Sequence, residues 1–311
     1  NEVLDCSIGT LHWTPEKPYI LYDSILIPEG CTLTIDAGTR IYSYNKSSIL
    51  VAGTLIVNGT PENPVIFQGT RIDAEYNDLN NQWAGIRFLP RSKDNSITGA
   101  IIKNGFVGIE VDSLPVNNNP NLTISQSQIF NMAAAGIVGY SSKIVAVNNL
   151  ITECGQFGFL GALGGDYKLV HNTIVSYNLR SNRQNPIVVF DNSPYTDKDK
   201  NIIAKFPLEM ELVNNIVYGS LEDEFLINNN SSGLPITPPL IQTNLIRTKQ
   251  TSTLNTNGNI LNQDPLFENY NTYNFQLKST SPAKNTGTQT NISIDIKNNT
   301  RSTSPSIGCW E

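Results

Sequence analysis

Charged residues are scarce in this chain of 311 residues. They make up 15% of it, against roughly 25% in an average soluble domain. The formal net charge is −6, and no stripe of lysine and arginine exists that could neutralise phosphates, so we expect no nucleic-acid partner. No apolar run approaches the roughly 18 residues that a membrane-spanning helix needs, so we also expect no membrane span.

Cysteine and histidine are few as well, with four and two residues. No two cysteines form a C-x-x-C pair, so a zinc site is not expected. Cys6 and Cys31 could be joined by a disulfide, and the sequence leaves open whether they are. Cys154 and Cys309 are expected to be small buried hydrophobic residues. The sequence therefore predicts no metal site and no cofactor.

The chain opens with Asn1-Glu2-Val3 and lacks the charged start and apolar stretch of a signal peptide. Because the organisation described next is typical of extracellular proteins, we interpret the chain as a mature or trimmed one. We expect it outside the cell or anchored at the outer-membrane surface, where a lipid anchor upstream is one route. The sequence leaves the oligomeric state and the mode of anchoring open.

A short segment repeats through the middle of the chain. Four copies align without gaps and an earlier fifth copy fits less exactly, and the starts of the five are separated by 27, 22, 23 and 43 residues. A period near 22 suits one coil of a β-solenoid and is too short for ankyrin or tetratricopeptide units. The copies occupy residues 97–102, 124–129, 146–151, 169–174 and 212–217.

A second short strand, usually introduced by glycine, follows each copy, so two strands are expected per coil. These strands occupy residues 108–111, 136–139, 158–161, 187–190 and 225–227. The pattern predicts an all-β fold, a single right-handed parallel β-helix domain over residues 1–311 with about 22 residues per coil. Uncovered solenoid ends are exposed sheet edges, so both need covers. The expected parts are an N-terminal cap at 1–19, coils at 20–261 and a C-terminal capping segment at 262–311.

Strand periodicity predicts which side chains of the repeated segment face the core. The inward positions are expected to be Ser125, Ser127, Ile129 and their equivalents in the other copies, which include Val147, Val170 and Val213. Their middle members would form an internal ladder of hydrogen-bonded side chains, because a buried amide is acceptable only when it is satisfied. The predicted ladder consists of Ser127, Asn149, Asn172 and Asn215.

The positions between the inward ones form a second column, which is expected to face solvent. It consists of Gln126, Asn148, His171 and Asn214. A solvated β-face is the simpler interpretation of this column. The alternative is an amide-rich strip at sheet spacing that hydrogen-bonds sugar hydroxyls, and a catalytic role for the lone His171 is the least favoured.

Two stretches, residues 69–82 and 193–208, interrupt the coils, and insertions in solenoids often carry function. The first gathers a cation, carboxylates and aromatic rings, which are the groups that a sugar or uronate site uses. The candidate ligand-binding residues are Arg71, Asp73, Tyr76, Asp78 and Trp83. The alternative is structural: Arg71 pairs with Asp73 or Asp78 to pin the loop, and Trp83 packs beneath it.

Several motifs resemble those of right-handed parallel β-helix proteins that Bacteroidetes encode in abundance, within the pectate-lyase-like superfamily. Many of these are surface lipoproteins of unknown role. The motifs are PYI at 18–20, LTIDAGT at 33–39, GTL at 53–55, NGT at 58–60, PVIF at 64–67, QWAGI at 82–86, DPLF at 264–267, FQL at 275–277 and SPA at 281–283, then Asp295, Arg301 and Ile307-Gly308. The resemblance implies the fold and a surface location, and it carries over no catalytic residue.

Superfamily relatives include pectate lyases and polygalacturonases, so the resemblance makes an enzymatic role an alternative. The Asn-Thr-Asp, Asp-Asp, Gly-His-Gly and Arg-Ile-Lys motifs of polygalacturonases are absent. Glu110, Asp112 and Asp191 are expected to be solvated. Asp112 and Asp191 would lie three coils, or roughly 14 Å, apart, beyond the roughly 5 to 9.5 Å of glycosidase carboxyl pairs. No catalytic residue is predicted, and calcium, which a lyase would need, finds no ligand cluster.

The sequence is compatible with three functions. The first is a non-catalytic surface protein that binds polysaccharide. The second is a polysaccharide lyase or glycoside hydrolase with a non-standard site, which a cluster of carboxylates with Lys or Arg in a cleft would favour. The third is a structural or adhesive solenoid.

Overall fold

Three long parallel sheets, named A, B and C here, run the length of the molecule, and each of nine coils contributes one strand to each sheet, while sheet C has one further strand at its end. The computed structural model describes residues 2–7, 10–73, 75–112, 117–179, 182–230, 234 and 237–311. The sheets enclose one continuous core of buried aliphatic and aromatic side chains. Short β-branched strands suit this arrangement because their side chains pack well on a pleated surface.

The strands are numbered β1 to β32 along the chain. Sheet A contains β1 (Glu2–Val3), β4 (Ile25–Ile27), β7 (Ser48–Val51), β10 (Gly85–Phe88), β13 (Val107–Asp112), β16 (Ala135–Tyr140), β19 (Phe157–Ala162), β22 (Val188–Asp191) and β27 (Phe225–Asn228). Sheet B contains β2 (Leu11–Trp13), β5 (Thr32–Asp36), β8 (Thr54–Asn58), β11 (Asn95–Thr98), β14 (Leu122–Ser125), β17 (Lys143–Val147), β20 (Gly165–Val170), β25 (Leu208–Val213) and β28 (Leu240–Gln242).

Sheet C contains β3 (Tyr19–Leu21), β6 (Arg40–Ser43), β9 (Val65–Gly69), β12 (Ala100–Lys103), β15 (Gln128–Met132), β18 (Leu150–Cys154), β21 (Thr173–Ser176), β26 (Ile216–Gly219), β29 (Leu245–Ile246) and β30 (Ile260–Leu261). Two antiparallel pairs lie outside these sheets, β23 (Tyr195–Thr196) with β24 (Ile202–Ala204) and β31 (Phe267–Asn269) with β32 (Asn274–Leu277). The short helix α1 (Thr251–Leu254) and a 3-10 turn (Tyr270–Thr272) complete the elements. None of the helices in the described residues is long and apolar enough to cross a membrane.

The repeat in the sequence corresponds to the strand register of sheet B, in which equivalent positions of successive copies are paired. Ile97 pairs with Ile124, and the pairing continues through the same position of each later copy, namely Ala146, Leu169 and Leu212. The all-β parallel β-helix is therefore confirmed. The coil length of about 22 residues holds only where the turns are tight, and loops raise the average to about 26.

The prediction of two strands per coil is wrong, because the repeated segment contains a bend. β14 ends at Ser125, β15 begins at Gln128, and Gln126 between them has a left-handed φ of 48°. The equivalent residues of the later copies have φ values of 55°, 56° and 58°. The bend interrupts the alternation, so the core receives Ile124 and its equivalents. Ser125, Val147, Val170 and Val213, which were expected to face inward, are not part of that core.

A ladder of hydrogen-bonded side chains runs through the coils at this bend. Nδ2 of Asn149 donates to Oδ1 of Asn172 at 3.0 Å, and Nδ2 of Asn172 donates to Oδ1 of Asn215 at 3.0 Å. At one end, the backbone N–H of Ser127 donates to Oδ1 of Asn149. All four of these side chains are fully buried. Each amide group therefore has hydrogen-bond partners on the neighbouring coils, which offsets the free-energy cost of burying it.

The ladder extends two members beyond those expected from the sequence. Nδ2 of Asn215 donates to Asn244 at 2.9 Å, and Nδ2 of Asn244 donates to Asn259 at 3.1 Å. Nδ2 of Asn259 ends the series by donating to the carbonyl oxygen of Ile241 at 3.0 Å. The ladder thus continues to the last coil.

The first residues of the chain form a coil, although the sequence suggested a separate cap there. Strands β1, β2 and β3 pair with β4, β5 and β6 of the next coil. A disulfide joins Cys6 to Cys31 with a Cα–Cα distance of 5.8 Å and ties the first coil to the second. Cys154 and Cys309 are free and buried, as expected.

The C-terminal segment lies along the flank of sheet C rather than over the open end. Its apolar side chains form a second core with the outer face of that sheet, including Phe275 and Ile307 against Ile216 and Tyr218. The end of the solenoid is occupied by residues 250–261 instead. There, Leu254 of α1 is buried in the main core and β30 pairs with β29.

This flanking segment also covers the side-chain column that was expected to be solvated. Asn148, His171 and Asn214 are at most 2% exposed, and Gln126 is half-buried. Nδ2 of Asn148 donates to the carbonyl oxygen of Ile294 at 2.8 Å. The expectation of a solvated column is therefore wrong, because the C-terminal segment, which lies 74 to 172 residues further along the chain, covers it.

Candidate functional site

The insertion between β9 and β10 is fastened to the coils beneath it. Nδ2 of Asn131 donates to the carbonyl oxygen of Asp78, and Nδ2 of Asn104 donates to that of Asn77, both at 2.7 Å. Within the loop, Nε2 of Gln82 donates to the carbonyl oxygens of Tyr76 and Leu79 at 2.6 and 2.8 Å. A loop that is held in this way can present side chains in a fixed geometry, which lowers the entropic cost of binding.

Arg71 and Tyr76 form a stacked pair in this loop. The guanidinium carbon of Arg71 lies 3.3 Å from the centroid of the Tyr76 ring. Among the ion pairs seen in the described residues, none joins Arg71 to Asp73, so the observed partner of Arg71 in this loop is the Tyr76 ring. The planar fork of Arg71 keeps its donor edge for a ligand, because stacking uses the face of the group and not its N–H bonds.

The pair lines a cavity of about 320 Å³ on the surface, within the range of small-ligand sites. Apart from Leu79, the described residues around it are polar or aromatic, and Arg71 is the one charged group among them. They are Tyr44, Asn45, Thr70, Arg71, Tyr76, Leu79, Asn80, Asn81 and Gln82. Amides and an arginine fork together can donate to and accept from sugar hydroxyls and carboxylates.

The other predicted site residues lie elsewhere. Trp83 is 1% exposed, and its Nε1 donates to the carbonyl oxygen of Lys103 at 2.9 Å, so it packs beneath the loop as its structural alternative proposed. Asp73 is exposed, and its carbonyl oxygen accepts from the N–H groups of Tyr76 and Asn77. Burial lowers the pKa of Lys103, and the nearby Asp78 carboxylate opposes that shift. The cavity brings together only Arg71 and Tyr76 of the five candidates.

Two tyrosines that the sequence analysis missed extend this surface. Tyr44 is 50% exposed and lines the cavity, and Tyr22 is 72% exposed with its ring centroid 6.1 Å from that of Tyr44. They follow β3 and β6, whose last residues, Leu21 and Ser43, are register partners. A matching Tyr after each of the first two sheet C strands was the sequence signal. It is visible only once those strands are aligned.

A second cluster lies on the outer face of sheet A. Nε of Arg87 donates to Asp112 at 2.7 Å and lies 3.3 Å from Glu110. Burial raises the pKa of the Glu110 carboxyl, while the Arg87 charge opposes that shift. Burial also raises the pKa of the neighbouring Tyr140. The expectation that Glu110 and Asp112 are solvated is therefore wrong, since their side chains are only 24% and 14% exposed and share one arginine.

A third charged array lies on sheet B. Lys143 is 3.0 Å from Asp166, and Lys168 is 2.7 Å from Glu211, on neighbouring strands. Two adjoining cavities of about 280 and 400 Å³ share Lys143, Asp166 and Glu209. Each lysine is already paired, and surface pairs of this kind contribute only about 0 to 1 kcal/mol. In the described parts of the chain, no group of three or more His, Cys, Asp or Glu residues could hold a metal ion.

The comparisons with known proteins agree with the architecture. Residues 6–108 match a family model described as a pectate-lyase like beta helix domain. The match covers the first coils, the insertion and the start of the fifth coil. No curated protein matches the chain. The β-helix is thus supported by both the family match and the sheets, and neither assigns a ligand or a reaction.

Proposed function

We propose that this chain is a cell-surface β-helix protein that binds a polysaccharide without cleaving it. The observation that carries the proposal is the Arg71–Tyr76 pair in its cavity, where Arg71 is the one charged residue among the described ones that line it. An acidic or neutral sugar unit would stack on an exposed aromatic ring and receive hydrogen bonds from the Arg71 fork. The disulfide between Cys6 and Cys31 favours an oxidising compartment, consistent with a position outside the cell.

The proposal is tested on a polysaccharide panel that includes polygalacturonate, alginate, chondroitin sulfate, galactan, xylan and dextran, measured for binding and for depolymerisation. We expect at least one polymer to bind without being shortened. The double variant Arg71→Ala/Tyr76→Ala should lose at least about tenfold in affinity, or about 1.4 kcal/mol. The matched control is Arg91→Ala/Tyr195→Ala, which removes an arginine and a tyrosine that are exposed elsewhere on the molecule. Binding to none of the polymers, or equal losses in both variants, would refute the site.

The sheet A cluster supports a second candidate, a polysaccharide lyase or hydrolase with a non-standard site. The observation in its favour is the raised pKa of Glu110 beside Arg87 and Tyr140, because catalytic acids carry such shifts. Depolymerisation of any panel member that Glu110→Gln abolishes would establish this function. Against it, Arg87 is shared between two carboxylates and the cavity there is only about 180 Å³. A solenoid that neither binds nor cleaves would be structural or adhesive.

A further inference from the structure

The exposed tyrosines are aligned with the coils. The last residues of β3, β6 and β9 are register partners, Leu21 with Ser43 and Ser43 with Gly69. Tyr22, Tyr44 and Thr70 follow them directly and so occupy the same corner of three successive coils. Arg71 and Tyr76 extend from the third of these corners. The result is a row of aromatic rings that ends at a cation and runs parallel to the axis.

The spacing of this row matches a chain-like ligand. Successive coils rise by about 4.8 Å, which is comparable to the length of one pyranose unit. The ring centroids of Tyr22 and Tyr44 are 6.1 Å apart. A single sugar would need only one of these rings. A linear chain laid along the axis meets one exposed ring for each unit.

The charge at this row is positive. Arg71 is the charged residue among the described ones that line the cavity, in a chain whose formal net charge is −6. An arginine fork with an unused edge pairs best with a planar carboxylate or with a sulfate. A chain without acidic groups would leave that charge desolvated and unpaired, which costs binding energy.

We infer that the ligand is a linear acidic oligosaccharide of at least three units, lying parallel to the helix axis. Its acidic unit binds Arg71, and its following units stack on Tyr44 and Tyr22. This inference rests on the proposed function and adds the class, length and direction of the ligand. It predicts that the contribution of each ring depends on the length of the ligand.

The test uses the full chain with oligomers of two, four and six units prepared from polygalacturonate, alginate and chondroitin sulfate. Methyl-esterified uronate oligomers serve as uncharged counterparts. Affinity in at least one acidic series should rise about tenfold from two to four units, and the esterified counterpart of a bound uronate series should bind at least tenfold more weakly. Tyr22→Ala should lower the affinity for the tetramer severalfold and leave that for the dimer unchanged, whereas Arg71→Ala should lower both. Tyr195→Ala, in the β23–β24 hairpin, is the control.

The outcomes separate the two claims. If none of these oligomers binds while a neutral polymer of the panel does, the inference is refuted and the proposed function stands. If no polymer of the panel binds, or if Arg71→Ala changes the binding of none, the proposed function fails and the inference with it. If Arg71 is required but affinity does not depend on length, or Tyr22→Ala leaves the tetramer unaffected, the site stands and the axial chain is refuted. Equal affinity for esterified and acidic uronates refutes the charge preference. Unchanged thermal transitions of the variants exclude loss of folding as the cause.

Discussion

Nη2 of Arg301 donates a hydrogen bond of 2.7 Å to Oδ1 of Asn148, which lies 153 residues earlier in the chain. The same guanidinium donates to the carbonyl oxygen of Gly308 and lies 3.3 Å from Glu311. Gly308 has a φ of 96°, and a Cβ there would approach within 2.8 Å of Ile216. Arg301 therefore fastens the last residues of the chain to the left-handed corner of one coil.

This contact predicts an energetic coupling between distant residues. Arg301→Leu and Asn148→Ala should each destabilise the protein, because each leaves a buried polar group without its partner at roughly 1 to 3 kcal/mol. In the double variant the two losses should not add, with a coupling of roughly 0.5 to 3 kcal/mol. Denaturant unfolding of the four proteins measures the cycle. Additive losses would show that the contact does not exist in solution.

His171 predicts a pH dependence of stability. Burial, together with the nearby charge of Arg301, lowers the pKa of His171 to about 3. The Asn214 amide holds its orientation through the N–H of Thr288, so its Nδ2 donates to Nε2 of His171 at 3.0 Å, and the imidazole is neutral. In the unfolded chain His171 binds a proton below about pH 6.5, but in the folded protein it does so only near pH 3. Its contribution to stability is therefore complete above pH 6.5 and is lost as the pH falls toward 3.

The variant His171→Asn removes this titration and keeps a residue type that the adjacent corners already carry with a left-handed backbone, Asn148 and Asn214. Between pH 7 and pH 4 the wild-type free energy of unfolding should fall by about 3 kcal/mol more than that of the variant. Thermal unfolding at the two pH values measures the difference. Parallel losses in the two proteins would show that His171 is accessible to protons in the folded state.

The ladder predicts a large loss of stability when one asparagine is replaced and a small loss when another is replaced. Asn172→Leu removes an amide that bonds to Asn215 and Asn149, so it should cost roughly 1 to 3 kcal/mol for each unsatisfied group. Asn58→Leu changes an exposed position of β8 and should stay within about 0.5 kcal/mol. Similar unfolding midpoints for the two variants would contradict the ladder.

The second insertion is expected to be dispensable for folding. Its hairpin strands β23 and β24 pair only with each other, and Tyr195, Ile202 and Ile203 are at least 50% exposed. Residues 205–207 are kept because Pro207 accepts a backbone hydrogen bond from Gly165. Replacing 194–204 with a short Gly/Ser bridge should preserve a cooperative thermal transition, since solenoid coils are stabilised by their nearest neighbours. Loss of that transition would place the hairpin in the core.

What the sequence could predict depended on whether a feature repeats. Ile97, Ile124 and Ala146 recur at coil spacing, so their register could be aligned by eye and is confirmed. The bend at Gln126 could not be predicted from the alternation of inward and outward side chains. A single residue with a left-handed backbone shifts that alternation, and no single residue type marks the position. The burial of Asn148 required knowledge of Arg301, a tertiary contact with no local signal. Arg183 and Glu224, which form a fully buried ion pair of 2.7 Å, were missed for the same reason.

Part of the candidate site was within reach of the sequence, since Arg71 and Tyr76 are close in the chain and no other stretch gathers such groups so densely. Trp83 belongs to the core because its indole fits beneath the loop, and hydrophobic rings close in sequence to a site need not face it. Tyr22 lies beside Tyr44 only because the coils stack, which places residues about 22 positions apart in sequence side by side. That proximity could not be predicted before the coils were aligned.

The most direct test of the account is a hydrogen-exchange footprint of the protein with and without a panel polysaccharide that binds. We predict slowed exchange in peptides that cover residues 19–23, 42–46 and 70–82, and unchanged exchange around Lys143 and Lys168 and around Arg87. Protection confined to the sheet A strands near Arg87 and Glu110, or to the sheet B array, would contradict the proposed site and move the function to that face.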